Sequence, residues 1–305
     1  METKIIAVSG RKFSGKSSLC NYIQAAVELV SKIAYTRIPG CNPRNTWIEQ
    51  KPSGEIVWHD ESDREVNEWK HTDTEHFINA KVYNFADALK NLCTDILGIK
   101  PEQVWGTEEQ KNSETQFVWD KLPLEIRLTN STLVHEVCGV ESMFCDTVHN
   151  CKCFKTLKEN QKSSDKRVPR SGPMTARQVL QVMGTEIMRK MFYEEVWIDA
   201  TLRKIAKENP PVALIGDMRF KGEFNAIHKA GGYVIRLERS VYAEDTHASE
   251  VDFDGFDFKQ YPRTLVIPAD ADLKTKNQMA ISWLAGHNII DASGLMPELP
   301  LPLAE

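Results

Sequence analysis

The stretch KIIAVSGRKFSGKSS, Lys4 to Ser18, decides the reading of the chain. Lys4 to Ser9 is a short apolar run, Gly10 to Ser17 fits G-x-x-x-x-G-K-[ST], and Leu19, Tyr22, Ile23, Ala26 and Val30 then recur at helical spacing. Strand, glycine loop and helix in that order are the context the motif needs. Glycines let successive backbone N–H groups turn inward as an anion nest, and the helix N-terminus adds the positive end of its dipole. Gly10, Arg11, Lys12, Ser14, Gly15, Lys16, Ser17 and Ser18 are therefore the expected phosphate-binding residues. Lys16 would reach the β and γ phosphates of a nucleotide, and the Ser17 hydroxyl would ligate Mg²⁺.

Working outward, further strands alternate with helices. Lys81 to Phe85 reads as a strand and Ala86 to Leu97 as a helix with Leu89, Leu92, Cys93 and Ile96 on one face. Met174 to Phe192 reads as one helix with a stripe of Val179, Val182, Met183, Ile187 and Met191. Val196 to Lys207 is a further helix, and PVALIG, Pro211 to Gly216, is the continuous apolar run of a strand buried on both faces. A helix over Phe220 to Ala230, strands at Tyr233 to Leu237 and Thr264 to Ile267, and a helix over Leu273 to Leu284 complete the pattern. Such alternation implies βαβ units, hence a five-stranded parallel sheet covered by helices on both faces. Asp217 directly follows PVALIG, where a second Mg²⁺ ligand belongs, and Arg219 would point into the same crevice. The plainer reading of Asp217 is a cap on the following helix.

The rest of the chain limits the alternatives. With 38 Lys plus Arg against 43 Asp plus Glu the formal charge is −5, which gives no basic excess for nucleic acid. No run reaches the ~20 apolar residues of a membrane span, and Met1 to Ser9 lacks a signal-peptide pattern, so a cytoplasmic protein with no membrane partner is expected. Residues 40–76 read as an inserted segment with short elements. Glu102 to Asp146 holds nine acidic and three basic residues, whereas Lys152 to Arg170 holds seven basic and two acidic. The basic stretch is a lid candidate, and 287–305 is a C-terminal tail. Of seven cysteines, Cys138, Cys145, Cys151 and Cys153 crowd together with His135 and His149. No C-x-x-C knuckle is present, so reduced cysteines are the default and zinc is the lesser alternative.

Phosphate-loop proteins divide into switches, motors and small-molecule kinases. A guanine-reading N-K-x-D is absent, and the D-x-x-G at Asp252 to Gly255 reads as a turn. A kinase whose acceptor is already a phosphate needs no general base, only positioning and charge neutralisation. Arginines from several segments, Arg11, Arg177, Arg189 and Arg219, fit that profile.

The ordered set GRKFSGKSS (Gly10 to Ser18), YNFADALK (Tyr83 to Lys90), WGTEEQKN (Trp105 to Asn112), MTARQVLQVMGTEIMRKMF (Met174 to Phe192), VWIDATLRKI (Val196 to Ile205), GDMRFKGEFNAIHKAGGYVIRL (Gly216 to Leu237) and HASE (His247 to Glu250) resembles the bacteriophage deoxynucleoside monophosphate kinases. The last long segment is also similar to the animal phosphomevalonate kinases. The resemblance implies a three-layer α/β/α P-loop kinase fold with inserted NMP-binding and lid regions, one domain over 1–305, insertions at 40–76 and 130–170, and transfer from Mg·ATP to a dNMP to give dNDP and ADP. It implies that Asp87, Lys90, Trp105, Gly106, Thr107, Lys111, Arg177 and Gln178 face the dNMP, and that Lys16, Arg177, Asp217 and Arg219 serve the transfer. A host cytoplasm would be the compartment, and a homodimer stays open. Rival readings are a kinase for a phosphorylated metabolite and a P-loop ATPase or switch that transfers no phosphate. Family members often have Asp-Thr where this chain has Ser17-Ser18, and Asn130 to Arg170 has no counterpart. Arg177 alternatively belongs to a solvated helix face, Trp105, Trp119 and Trp197 to the core, and His247 with Glu250 to a local turn pair.

Overall fold

The computed structural model describes residues 2–30, 47–53, 56–59, 65–66, 79–128, 133–134, 166–239 and 252–290. The chain divides into two compact units, one of Met1–Asp87 with Trp197–Glu305 and one of Ala88–Val196.

The first unit is built on β1 (Lys4–Gly10), with α1 (Lys16–Val30) following the glycine loop. Three short strands, β2 (Trp47–Gln50), β3 (Ile56–His59) and β4 (Glu65–Val66), pair antiparallel within the 40–76 segment. The main sheet continues with β5 (Ala80–Tyr83) and later with β10 (Val212–Met218), β11 (Tyr233–Leu237) and β12 (Thr264–Ile267). Its order is β12-β11-β1-β10-β5, and every pairing is parallel. The five-stranded parallel sheet read from the sequence is therefore present. Ile6, Ala7, Val8, Ala213, Leu214 and Ile215 are fully buried, as a strand covered on both faces requires.

One face packs Ile6, Val8, Leu214, Ile235 and Ile267 against Leu19, Ile23 and Ala26 of α1 and Ala280, Ile281 and Leu284 of the last helix. The other packs Ala7, Ala213, Ile215 and Val234 against Ile198 and Ile205 and against Phe224 and Ile227. Those last two pairs come from the helices Val196–Glu208 and Lys221–Lys229. Central β1 has its neighbours β10 and β11 on opposite sides, which places the glycine loop at the switch of strand order, where open α/β sheets bind ligands.

The second unit holds most of α2 (Ala86–Asp95), then α3 (Pro101–Trp105), α4 (Glu108–Lys111), β6 (Glu114–Val118) and α5 (Leu124–Leu128). The two-residue strands β7 (Leu133–Val134) and β8 (Lys166–Arg167) pair with each other, and β9 (Pro173–Thr175) pairs antiparallel with β6. Cys93, Val104, Trp119, Ile126, Met174 and Val179 form its core.

Two expectations are corrected here. Ile96 does not share the face of Leu89, Leu92 and Cys93, because α2 ends at Asp95 and leaves Ile96 76% exposed. Met174 to Phe192 is not one α-helix: β9 takes its start, α6 runs Ala176–Gln181, and a π-helix continues over Val182–Phe192. The wider i→i+5 winding carries the apolar stripe off its α-helical track, so Val179 and Val182 are buried but Met191 is exposed. Gly184 lies in that π-segment against Leu89; a Cβ there would stand 2.5 Å from a Leu89 methyl.

The later helices are α7 (Val196–Glu208), α8 (Lys221–Lys229) and α9 (Leu273–Gly286), all in the first unit apart from Val196.

Candidate active site

The phosphate loop closes on itself. Lys16 Nζ donates to the carbonyls of Gly10 at 2.6 Å and Arg11 at 2.8 Å, and the side chain is buried. A Cβ on Gly10 would lie 2.4 Å from Ser14 Oγ, so only glycine lets the loop fold this tightly, and Gly15 has φ +95°. Phe13 also takes a left-handed conformation, φ 62°, of the kind that active-site loops hold. Ser14 Oγ is buried with no hydrogen-bond partner among the described residues. A buried hydroxyl without a partner in a glycine cradle fits a ligand that brings acceptor oxygens, as a polyphosphate does.

Arg11 is held outward by Asp254, Nη2 to Oδ1 2.8 Å. Asp254 belongs to the D-x-x-G stretch, and Asp252 of the same turn accepts from Lys221 N at 2.6 Å. The turn expected there braces the loop and the start of α8. Lys12 lies over the Phe13 ring. Ser17 stands exposed in the first turn of α1, and Ser18 is half-buried.

Asp217 sits where β10 bulges: Ala7 pairs with Ile215 and Ser9 with Met218, so Gly216 and Asp217 together oppose Val8. A bulge re-aims a side chain. Asp217 Oδ1 accepts from Phe85 N at 2.8 Å and Oδ2 from Ala86 N at 3.1 Å. It thus caps α2, reached across the sheet, and not the helix after its own strand; Glu223 takes that role through Arg219 N and Phe220 N. Burial pushes the Asp217 carboxyl above its ordinary range, against the two N–H bonds that favour its anion. Each oxygen keeps a lone pair, so the carboxylate and the Ser17 hydroxyl are oxygen ligands of the type Mg²⁺ takes. Asp87 accepts from Asn84 N at 3.0 Å and from Asn84 Nδ2. Among the described residues no group of three or more His, Cys, Asp and Glu could hold a metal ion.

In the second unit Lys90 and Trp105 meet each other, and the other expected substrate-facing residues are engaged by neighbours outside that set. Lys90 Nζ lies 4.3 Å from the centre of the Trp105 ring, which is 45% exposed. Thr107 caps α4 in a reciprocal pair with Gln110, and Gly106 has no room for a side chain beside it. Arg177 Nη2 reaches Glu108 Oε2 at 2.5 Å, and Lys111 stands 3.9 Å from Oε1 of the same glutamate. Arg177 Nε is buried with no partner among the described residues. Gln178 spends its amide oxygen on Thr175 N at 2.9 Å and its backbone N–H on Thr175 Oγ1, a capping box that starts α6. Trp119 and Trp197 are core residues, with Arg170 stacked 4.7 Å over Trp119.

Sequence reasoning missed Lys276 and Arg239, which line a cavity with Ser14 beside the loop. The signal for Lys276 was present: with Ala280 and Leu284 it recurs at i, i+4 and i+8, on the stripe α9 buries. The zinc candidates His135, Cys138, Cys145, His149, Cys151 and Cys153, the lid candidate up to Asp165, and His247 with Glu250 lie outside the described residues.

A phosphate loop leaving the central strand of a parallel five-stranded sheet defines the class, a P-loop kinase fold of the α/β type. Residues 99–274 match the family described as deoxynucleotide monophosphate kinase, and the chain belongs to that family. Among curated proteins, the chain is 30% identical over 180 residues to the deoxynucleoside-5'-monophosphate kinase of Escherichia phage T5, covering 55% of this chain and 70% of that one. A protein of Acanthamoeba polyphaga mimivirus whose provisional name is of the same kind is 24% identical over 185 residues, 55% of this chain and 66% of its own length. The family match takes in Trp105, Lys111, Arg177, Asp217 and Arg219 and begins after the phosphate loop. As a family member the protein is a nucleotide monophosphate kinase. No helix among the described residues is long and apolar enough to cross a membrane.

Proposed function

We propose that the protein transfers the γ-phosphate of Mg·ATP to a deoxynucleoside 5'-monophosphate, giving dNDP and ADP. The observation that carries this reading is the glycine cradle of Gly10 and Gly15, with Lys16 at its mouth and the Ser14 hydroxyl buried without a partner. Backbone N–H groups of the loop and the N-terminus of α1 bind the donor phosphates. Lys16, held ready by the Gly10 and Arg11 carbonyls, turns its ammonium to the β and γ oxygens. Ser17 and Asp217 would hold Mg²⁺, which when bound neutralises charge on the phosphates.

Arg177 and Arg219 offset the charge that spreads over the transferring group. The acceptor oxygen is anionic before attack, so positioning replaces a general base. Asp87, Lys90, Trp105, Gly106, Thr107, Lys111 and Gln178 form the acceptor side in this reading, with Trp105 as a stacking surface and the cations as phosphate partners. Family membership supports a nucleotide acceptor over the phosphorylated-metabolite and non-kinase alternatives. The same reading keeps one kinase domain over 1–305 with insertions at 40–76 and 130–170 and a tail at 287–305, working in a host cytoplasm.

An assay that couples ADP release to NADH oxidation tests it with each of the four common dNMPs. At least one dNMP should raise ADP formation well above the rate with ATP alone; no stimulation by any of them, or by modified dNMPs, contradicts it.

A further inference from the structure

The cavity beside the phosphate loop is lined by Ser14, Leu237, Arg239, Ile267, Asp272 and Lys276, among others, at the carboxyl ends of β11 and β12. Its volume is about 80 Å³, far below the ~300 Å³ of a site that encloses a whole small molecule, so it suits one group of a larger ligand. Lys276 is 9% exposed, and a Cβ built on Gly15 would lie 3.3 Å from its ammonium. No ion pair or hydrogen bond engages that ammonium among the described residues. Its charged neighbour is Arg239, of like sign, and the Cys20 thiol lies nearby. Asp272, the one carboxylate among these lining residues, caps α9 by accepting from Thr275 N at 2.7 Å.

A cation largely withdrawn from water without an anion is unfavourable, and a lysine on the apolar stripe of a helix is not kept there by packing alone. The cost is recovered if a ligand brings the missing charge. Ser14, whose unpartnered Oγ lies beside Gly10, and Lys276, whose ammonium lies beside Gly15, line one cavity at the phosphate loop. Asp217 and Arg219 lie on the β10 side of β1, whereas this cavity lies on the β11–β12 side. A donor whose γ-phosphate faces β10 would trail its base-proximal phosphates toward the cavity.

We propose that Lys276 is a second phosphate-binding ammonium of the donor site, contributed by α9, which contacts the polyphosphate of the nucleotide on the side away from Asp217. This rests on the donor-site reading above and names a residue for it. Desolvation, which lowers the ammonium's pKa in the free protein, agrees with a group that awaits an anion.

Calorimetric titration of ATP, ADP and adenosine into wild type, Lys276→Met, Lys276→Arg and Lys16→Met, with thermal denaturation of each free protein, tests the proposal. Lys276→Met should weaken ATP and ADP by about tenfold or more. Adenosine affinity and the KM for dNMP at saturating ATP should stay unchanged, and Lys276→Arg should retain most of the ATP affinity. The free Lys276→Met protein should melt no lower than wild type, since an uncompensated buried charge has been removed; a structural lysine would give a lower Tm. Wild-type ATP affinity in Lys276→Met beside a loss in Lys16→Met overturns the Lys276 proposal and leaves the donor-site reading standing. Wild type that binds neither ATP nor ADP overturns both. Should Lys276→Met fail to fold, Lys276→Gln is read by the same criteria.

Discussion

The phosphate loop and the cluster proposed for the acceptor, both read as phosphate-binding, are built in opposite ways. Around the loop, polar groups are fixed in place before any ligand arrives: Ser14 Oγ has no partner among the described residues, and Lys16 donates to the loop carbonyls of Gly10 and Arg11. In the Ala88–Val196 unit the cations are already engaged, Arg177 and Lys111 with Glu108 and Lys90 with the Trp105 face. A fixed backbone cradle binds at little reorganisation cost, whereas paired side chains must exchange partners when a phosphate arrives.

The largest effect expected from this contrast is at Lys16. Lys16→Met should lower kcat by about 10³-fold while circular dichroism and Tm stay near wild type. A loss under tenfold would remove the loop from the chemistry. Next comes Arg177→Ala, for which a rise of about 10–100-fold in KM for dNMP is expected with KM for ATP unchanged. Equal changes in both constants would return Arg177 to a structural role.

A smaller effect follows at Glu108. An ion pair this exposed contributes little, so Glu108→Gln should lower KM for dNMP by no more than about fivefold as Arg177 and Lys111 are released. A raised KM would mean that Glu108 positions Arg177 and does not restrain it. The smallest effect is a null result in both units. Burial pushes the Cys20 thiol up to about 12 and the Cys93 thiol up to about 11, from an ordinary 9.0. Thiolate populations at pH 8 are then about 10⁻³ or less, and iodoacetamide should leave both residues unmodified in native protein by peptide mapping, yet label them in urea.

The main sheet was legible because its central strands, β1 and β10, are buried on both faces and read as apolar runs. Tyr233–Leu237 and Thr264–Ile267 have the bounds expected from sequence, and β10 extends PVALIG by two residues, Asp217 and Met218. The second unit was less legible because long-range pairing makes its elements. β9, three residues long, exists through its partner β6, whose sequence ETQFV is neither an apolar run nor alternating. The π-winding of Val182–Phe192 leaves no trace in a 3.6-residue pattern, which is why Met191 was placed on the buried stripe.

Within the candidate site, the phosphate loop announces itself by spacing. Asp217 follows PVALIG directly, as the sequence reads, but its cap on α2 comes from a bulge and a neighbouring strand, neither of which a linear motif encodes. Lys276 was visible only as a charge on the wrong face of a helix. Arg239 had no signal at all, since its place in the lining depends on how the ends of β11 and β12 meet α9.

The central claim is that the loop's γ-phosphate goes to a nucleoside monophosphate. Incubation with γ-³²P-labelled ATP, Mg²⁺ and each dNMP, followed by chromatographic separation of products, reads that transfer directly. Label should appear in the dNDP of at least one base in wild type and vanish in Lys16→Met. Label released only as inorganic phosphate, or dNDP labelled equally by the Lys16→Met protein, would contradict the account.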